Sequence, residues 1–325
     1  MNNLLRGAAF FTCFLPSFTT IGYRSRRWMW SSTPHDFSGQ RWLVTGASDG
    51  IGREIASQAA AAGAEVHAVG RNAGRLEALA QLPGNWVTHQ EDLSLMHSVS
   101  TFADRVTGQG LSFDVLVNNV GLMLGERQLT DEGLEASFAT NVLGHFVLTE
   151  ALRDRGALEC GMVINMSSGG MYNVPLTLEN LQGQARYDGM LTYAYQKRAQ
   201  VVLNEWWRRQ GLTSYVMHPG WVDTAGVRTV STQPGSIPRV CARPCLSFTD
   251  SPGRCCASPV RAPTPLYGWP PNAPANLSRA ISGLIGLRVA HTCSQTRAGA
   301  LTHLRCWAIW LNNWSTPPRL NCRSS

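Results

Sequence analysis

Tyr193 and Lys197 stand four residues apart in the segment TYAYQKRAQ (192–200). On a helix that spacing puts both side chains on one face. A free phenol has a pKa near about 10, too high to exchange protons readily at neutral pH, and a neighbouring ammonium favours the phenolate. Lys197 is the single lysine in a chain with 27 arginines. Arginine is planar and permanently protonated, whereas lysine is compact, with three rotatable donors on a flexible stem. It can reach a cofactor ribose and stay close to the phenol. The pair therefore predicts acid–base chemistry, with Tyr193 exchanging the proton and Lys197 depressing its pKa.

A second cluster lies upstream. TGASDGIG (45–52) follows the apolar segment RWLVT and opens a helical one. Gly46 suits a tight turn, Gly50 lets backbone approach a pyrophosphate, and Gly52 permits close strand–helix packing. The helix N-terminus meets the negative charge. Ser48, Asp49 and Ile51 complete this turn and are read with it as cofactor-contacting. The next strand ends in Gly70-Arg71. A site for NAD normally carries an acid here for the ribose 2′-hydroxyl. None is present, and the nearest, Glu65, begins the strand. Arg71 suits a 2′-phosphate, which favours NADP with NAD as the alternative; Arg53 either assists or lies on the helix surface. Asp92, followed by Leu93, comes after the third strand and either accepts a hydrogen bond from an adenine amino group or caps a helix. NNVG (118–121) ends the fourth strand at the edge where open α/β sheets bind ligands. Asn118 and Asn119 tie neighbouring strands, line the cofactor cleft beside Gly121, or do both.

These residues need a frame. From residue 41 onward, short apolar runs (RWLVT, AEVHAVG, WVTHQ, FDVLVNN, GMVINMSS, TSYVMH) alternate with segments of helical period, including one over 133–154 and one over 193–209. That rhythm predicts an α/β fold with a doubly wound, Rossmann-type parallel sheet covered on both faces. The domain is expected over 38–229, with an extension at 1–37 and a tail at 230–325. The front, 1–229, has 18 Lys and Arg against 20 Asp and Glu, whereas the tail has 10 Arg and one acid, Asp250. The overall charge of +7 therefore belongs to the tail and says nothing of nucleic acid binding by the domain. Only Cys13 and Cys160 precede residue 230, as in a protein of a reducing intracellular compartment. No run of eighteen uncharged apolar residues occurs, so a spanning helix is not expected. Residues 1–35, basic and apolar but broken by Pro16, are an ordered extension, a targeting segment or a peripheral membrane contact. The tail, rich in Pro, Ser, Arg, Cys and Trp, has no strand–helix period. It reads as a wrong-frame or mis-spliced product, poorly ordered, with neither zinc spacing nor a nucleic-acid motif.

In combination and in order, TGASDGIG, NNVG, Asn141 in NVLG, Ser168 in NMSS, YAYQK and HPGWVDT resemble the short-chain dehydrogenase/reductase family, in particular its retinol dehydrogenase-like members, over about residues 38–228. The resemblance implies NAD(P)-dependent interconversion of a carbonyl and an alcohol on a small, lipophilic substrate. It makes Tyr193 the acid/base, while Lys197 lowers its pKa and holds the nicotinamide ribose. Ser168 orients the substrate oxygen, or Ser167 does if the strand register differs by one. Asn141 supports a water in the proton relay, or else bends its helix and satisfies backbone. Pro219 and Gly220 shape the nicotinamide pocket, and Thr224 binds the carboxamide. The helices of Asn141 and Tyr193 commonly form a homodimer face in this family. Between Ser168 and Tyr193 an insertion is expected to cover the active site. The tail departs from the family, which leaves the last edge strand in doubt. The alternative is a nucleotide-binding protein with little catalysis.

Overall fold

A computed structural model of the chain describes residues 35–184 and 187–219. The elements are β1 (Arg41–Thr45), α1 (Gly50–Ala61), β2 (Glu65–Gly70), α2 (Ala73–Ala80), β3 (Asn85–Gln90), α3 (Met96–Gly108), β4 (Val115–Asn118), α4 (Ala136–Phe138), a π-helical turn (Ala139–Gly144), α5 (His145–Asp154), β5 (Met162–Met166), a 3-10 turn (Gly169–Asn173), α6 (Gly189–Arg209) and β6 (Thr213–Met217). All six strands are parallel, in the order β3-β2-β1-β4-β5-β6. The chain winds outward from β1 to β3, then crosses back to β4 and winds the other way. The turns after β1 and β4 therefore diverge at the carboxyl edge, opening the crevice where such sheets bind ligands.

Apolar residues on both faces of the strands make this possible. Val44, Val66, Ala68, Val115 and Val117 pack with Ala56, Ala59, Leu76 and Leu79 of α1 and α2. Leu43, Val69, Leu116 and Val163 pack on the other face with Phe102, Leu148, Leu152, Leu203 and Trp207 of α3, α5 and α6. Capping fixes the helix starts: Asp49 Oδ1 accepts from Gly50 N, Asn72 Oδ1 from Arg75 N, and Asp188 Oδ1 from Leu191 N. Across the second half of the sheet runs a chain of buried amides. Asn118 Nδ2 donates to Asn165 Oδ1 at 3.0 Å, and Asn165 Nδ2 to Asn204 Oδ1 at 3.1 Å.

The strands and most helices lie where the periodicity puts them. The exception is the helix expected over 133–154, which begins at Ala136 and carries the π-helical turn. Two contacts account for the irregularity. Gly144 presses on the Leu93 carbonyl so closely that a Cβ would lie 2.3 Å from it. Asn141 is pulled aside by bonds to the Leu122 backbone. Single π turns often mark functional sites.

Among the described residues β6 is an edge strand, most of it half-buried. The expectations for residues 1–34 and for the tail lie outside the described residues. Cys160 is the one cysteine among the described residues. Among the described residues no helix is long and apolar enough to cross a membrane.

Candidate active site

The long helix α6 carries Tyr193 and Lys197 against the ends of β4 and β5. Lys197 is 2% exposed, and its Nζ donates to the Met166 carbonyl at 2.8 Å. The same nitrogen lies 5.4 Å from the centroid of the Tyr193 ring. Burial holds the Lys197 ammonium down at about 7. Burial also pushes the Tyr193 phenol up to about 12, and a hydrogen bond from Ser168 pulls the other way. The depression of Tyr193 expected from Lys197 is thus not found in this arrangement. The ammonium is turned onto the Met166 carbonyl, and desolvation favours the neutral form of both groups. At neutral pH the phenol keeps its proton.

Of the two serines after β5, Ser168 meets Tyr193. Ser167 is buried, its Oγ donating to the Lys197 carbonyl at 2.9 Å. Asn141 fits the backbone-satisfying alternative. Its Oδ1 accepts from Leu122 N at 2.8 Å, and its Nδ2 donates to Leu122 O and Gln196 Oε1, both at 2.7 Å. Gln196 in turn donates to Glu135 Oε2 at 3.0 Å. Glu135 is fully buried, and it also accepts from Ser137 N, Phe138 N and the Tyr187 hydroxyl, the last at 3.1 Å. The insertion between Ser168 and Tyr193 is thereby fastened to the start of α4. Arg127 Nε donates to Gln182 O, and Gln182 Oε1 accepts from Glu135 N.

At the carboxyl edge of β1, Gly46 and Gly50 have φ of 65° and 53°, in the left-handed region that glycine accommodates. A Cβ on Gly52 would lie 2.2 Å from the Gly46 carbonyl oxygen. Asn119 ties this turn to β4, its Nδ2 donating to Thr45 O at 2.9 Å. Asn118 and Asn119 therefore both act as strand ties. Asp92 closes a turn before α3, its Oδ1 accepting from Ser94 N and Oγ, while Leu93 is buried in the core. Arg71 is exposed, with Nη1 4.0 Å from Asp92 Oδ2. Arg53 is exposed on α1.

Ser168, Tyr193, Lys197, Asn141 and Gly121 converge. A Cβ on Gly121 would lie 3.6 Å from both Asn141 Oδ1 and Lys197 Nζ. Pro219 is half-buried just beyond β6; Gly220 and Thr224 lie outside the described residues.

Several polar residues at the site carry no sequence motif. Gln196, Glu135, Gln200 and His145 are buried, and at helical spacing they look like ordinary surface polar positions. Gln200 Nε2 donates to the Asn141 carbonyl at 2.6 Å and lies 3.0 Å from His145 Nδ1. Burial lowers His145 to about 3, helped by the nearby Lys197 charge. Arg75 also carries no motif, although it follows Arg71 by four residues; its Nη1 pairs with Asp49 Oδ2 at 2.7 Å.

A family model described as short chain dehydrogenase matches residues 40–235. The chain belongs to the short-chain dehydrogenase/reductase family. It is 40% identical over 254 residues to Dehydrogenase/reductase SDR family member 12 of Bos taurus, spanning 74% of this chain and 78% of that relative. Retinol dehydrogenase 11 of Homo sapiens is 32% identical over 197 residues, 57% of this chain and 62% of its own length. A solved structure of a putative NAD(P)-dependent gluconate 5-dehydrogenase from Beutenbergia cavernae, with bound NADP, aligns with TM-score 0.50 and 25% identity over 61% of this chain and 78% of that one. As a short-chain dehydrogenase/reductase the protein is an NAD(P)-dependent oxidoreductase. The residues present fit such a dinucleotide. The glycine turn opens α1 with Gly46 and Gly50 in the left-handed region, and Gly121 leaves space beside Lys197 that a side chain would take.

Proposed function

We propose that the protein interconverts a carbonyl and an alcohol using NADP, with Tyr193 as the proton-transferring residue. The observation that carries this is the buried Lys197 on α6, its Nζ 5.4 Å from the centroid of the Tyr193 ring, with Ser168 beside the phenol at the ends of β4 and β5. When bound, the nicotinamide cofactor supplies or accepts the hydride. Ser168 orients the substrate oxygen. In reduction Tyr193 gives its proton to that oxygen, and a phenol held near 12 is protonated and ready to do so. In oxidation Tyr193 must accept a proton as phenolate, and Lys197 is the cation at hand to favour that form. Lys197 also holds the nicotinamide ribose, Asn141 fixes the backbone after β4, and Arg71 takes the 2′-phosphate. The exposed Met190 and Leu191, just ahead of Tyr193 on α6, suit a lipophilic substrate.

Tyr193→Phe removes the proton donor alone. Turnover of a carbonyl substrate should fall by about 10²–10⁴-fold, with NADPH affinity within about twofold of the parent. Retention of parental turnover would remove Tyr193 from the mechanism. NADPH should bind one to two decades more tightly than NADH, roughly 1.5–3 kcal/mol for a charge-assisted phosphate contact, and Arg71→Asp should invert the order. Equal affinities in the parent would refute the NADP assignment.

A further inference from the structure

Asp49 is the one acid in the glycine turn, and it stands where a dinucleotide brings phosphate. Its Oδ1 is committed to α1, accepting from Gly50 N at 2.7 Å. Its Oδ2 is held by Arg75 Nη1 at 2.7 Å. Next to it, Ser48 Oγ lies against Gly70, where a Cβ would come within 3.0 Å. The turn after β1 and the end of β2 are therefore in contact, and Arg71 follows directly. Arg71 is only loosely engaged, 4.0 Å from Asp92. The edge thus holds two arginines against two carboxylates, with the tight pair on the acid of the phosphate turn. Left unshielded, Asp49 would repel each phosphate that approaches the helix end.

We infer that Arg75 is a cofactor-specificity residue: by pairing with Asp49 it neutralises the acid in the glycine turn and lets the site accept the extra phosphate of NADP. The inference rests on the NADP reading above. NADP carries one more phosphate than NAD, and on that reading Arg71 would take it at the end of β2, which Ser48 touches next to Asp49. Loss of the shield should therefore weigh more heavily on NADP than on NAD. Asn at position 49 would keep the helix cap and remove the charge, since Asn and Asp cap about equally well.

The test is calorimetric titration of the full chain with NADPH and with NADH, without substrate, for the parent, Arg75→Ala, Asp49→Asn and the double variant. Arg75→Ala should weaken NADPH binding about tenfold and NADH binding by no more than about threefold. The double variant should recover to within about threefold of the parent, because the charge that needed shielding is gone. The loss in Arg75→Ala should shrink in about 0.5 M salt, as befits exposed charges. NADH binding by each variant reports that the site is folded. A double variant as weak as Arg75→Ala overturns the inference, as does an equal loss for the two cofactors. A parent that prefers NADPH, with the preference intact in Arg75→Ala, overturns this inference alone. A parent that binds NADH as tightly as NADPH overturns the NADP reading and this inference with it.

Discussion

Replacing Lys197 by methionine should make the protein more stable and inactive. Burial takes the Lys197 ammonium from 10.5 to about 7. At 1.36 kcal/mol per unit, the folded state bears roughly 5 kcal/mol for holding this group when both states are protonated. Methionine has a similar length and no charge, but it gives up the bond from Nζ to Met166 O, and the stranded carbonyl costs about 1–3 kcal/mol. The difference predicts a net gain of about 2–4 kcal/mol at neutral pH and below. The sign of the pH dependence follows from linkage. Between about 7 and 10.5 the unfolded chain binds the proton and the folded chain does not, so parental stability rises with pH through that window. Lys197→Met lacks this slope. Its advantage over the parent should be largest below pH 7 and vanish or reverse by about pH 10.5. Urea unfolding of both proteins at pH 6.5, 8.5 and 10 measures this directly. A variant less stable than the parent by the same amount at every pH would show that Lys197 is not buried at a cost, and the reasoning would fail.

Gly52→Ala should cost about 1–3 kcal/mol or more, because the new Cβ would meet Gly46 O at 2.2 Å and Asn119 Nδ2 at 2.4 Å, pushing α1 away from the turn it supports. Urea unfolding reads the loss, and a change below about 0.5 kcal/mol would mean that the turn yields easily. Burial lowers His89 to about 4 and His145 to about 3 from 6.5. The unfolded state binds more protons below 6.5, so stability is full above that pH and falls as pH drops toward 4, by about 1.4 kcal/mol per unit for each histidine. Unfolding midpoints measured at pH 7, 6 and 5 should decline steadily, and a flat profile would contradict the buried neutral state of these rings.

Much of the fold was legible because the strands are apolar runs of strand length and the helices carry a 3.6-residue period. Glycine-rich sequence at the end of β1 and the Tyr193–Lys197 spacing marked the site for the same reason: their chemistry demands particular residue types at fixed offsets. What the sequence concealed was polar and tertiary. Glu135 looks like a surface acid, yet it is fully buried with donors from three segments, a placement decided by how the insertion folds back. The π-helical turn depends on the approach of Gly144 to Leu93, a contact between residues about fifty apart. The tyrosine pKa moved opposite to expectation because spacing predicts proximity to a cation and is silent on desolvation. Asp49 and Arg75 looked unrelated until α1 and α2 were set side by side.

The amide chain from Asn118 through Asn165 to Asn204 has a consequence for how the sheet is assembled. Strands as uniformly apolar as β4 and β5 discriminate poorly between alignments, since a shift of two residues returns the same kind of side chain to each face. The asparagines cannot be shifted in this way. A misaligned β5 would strand buried amides at about 1–3 kcal/mol each, several kcal/mol in all, where hydrophobic burial alone would be nearly indifferent. Ser168 lies three residues beyond Asn165, and Tyr193 lies eleven residues, about three helical turns, before Asn204. The same three side chains that reject a slipped pairing therefore keep the serine and the tyrosine in phase, so that a molecule which has chosen the right alignment has already assembled its proton-transfer pair.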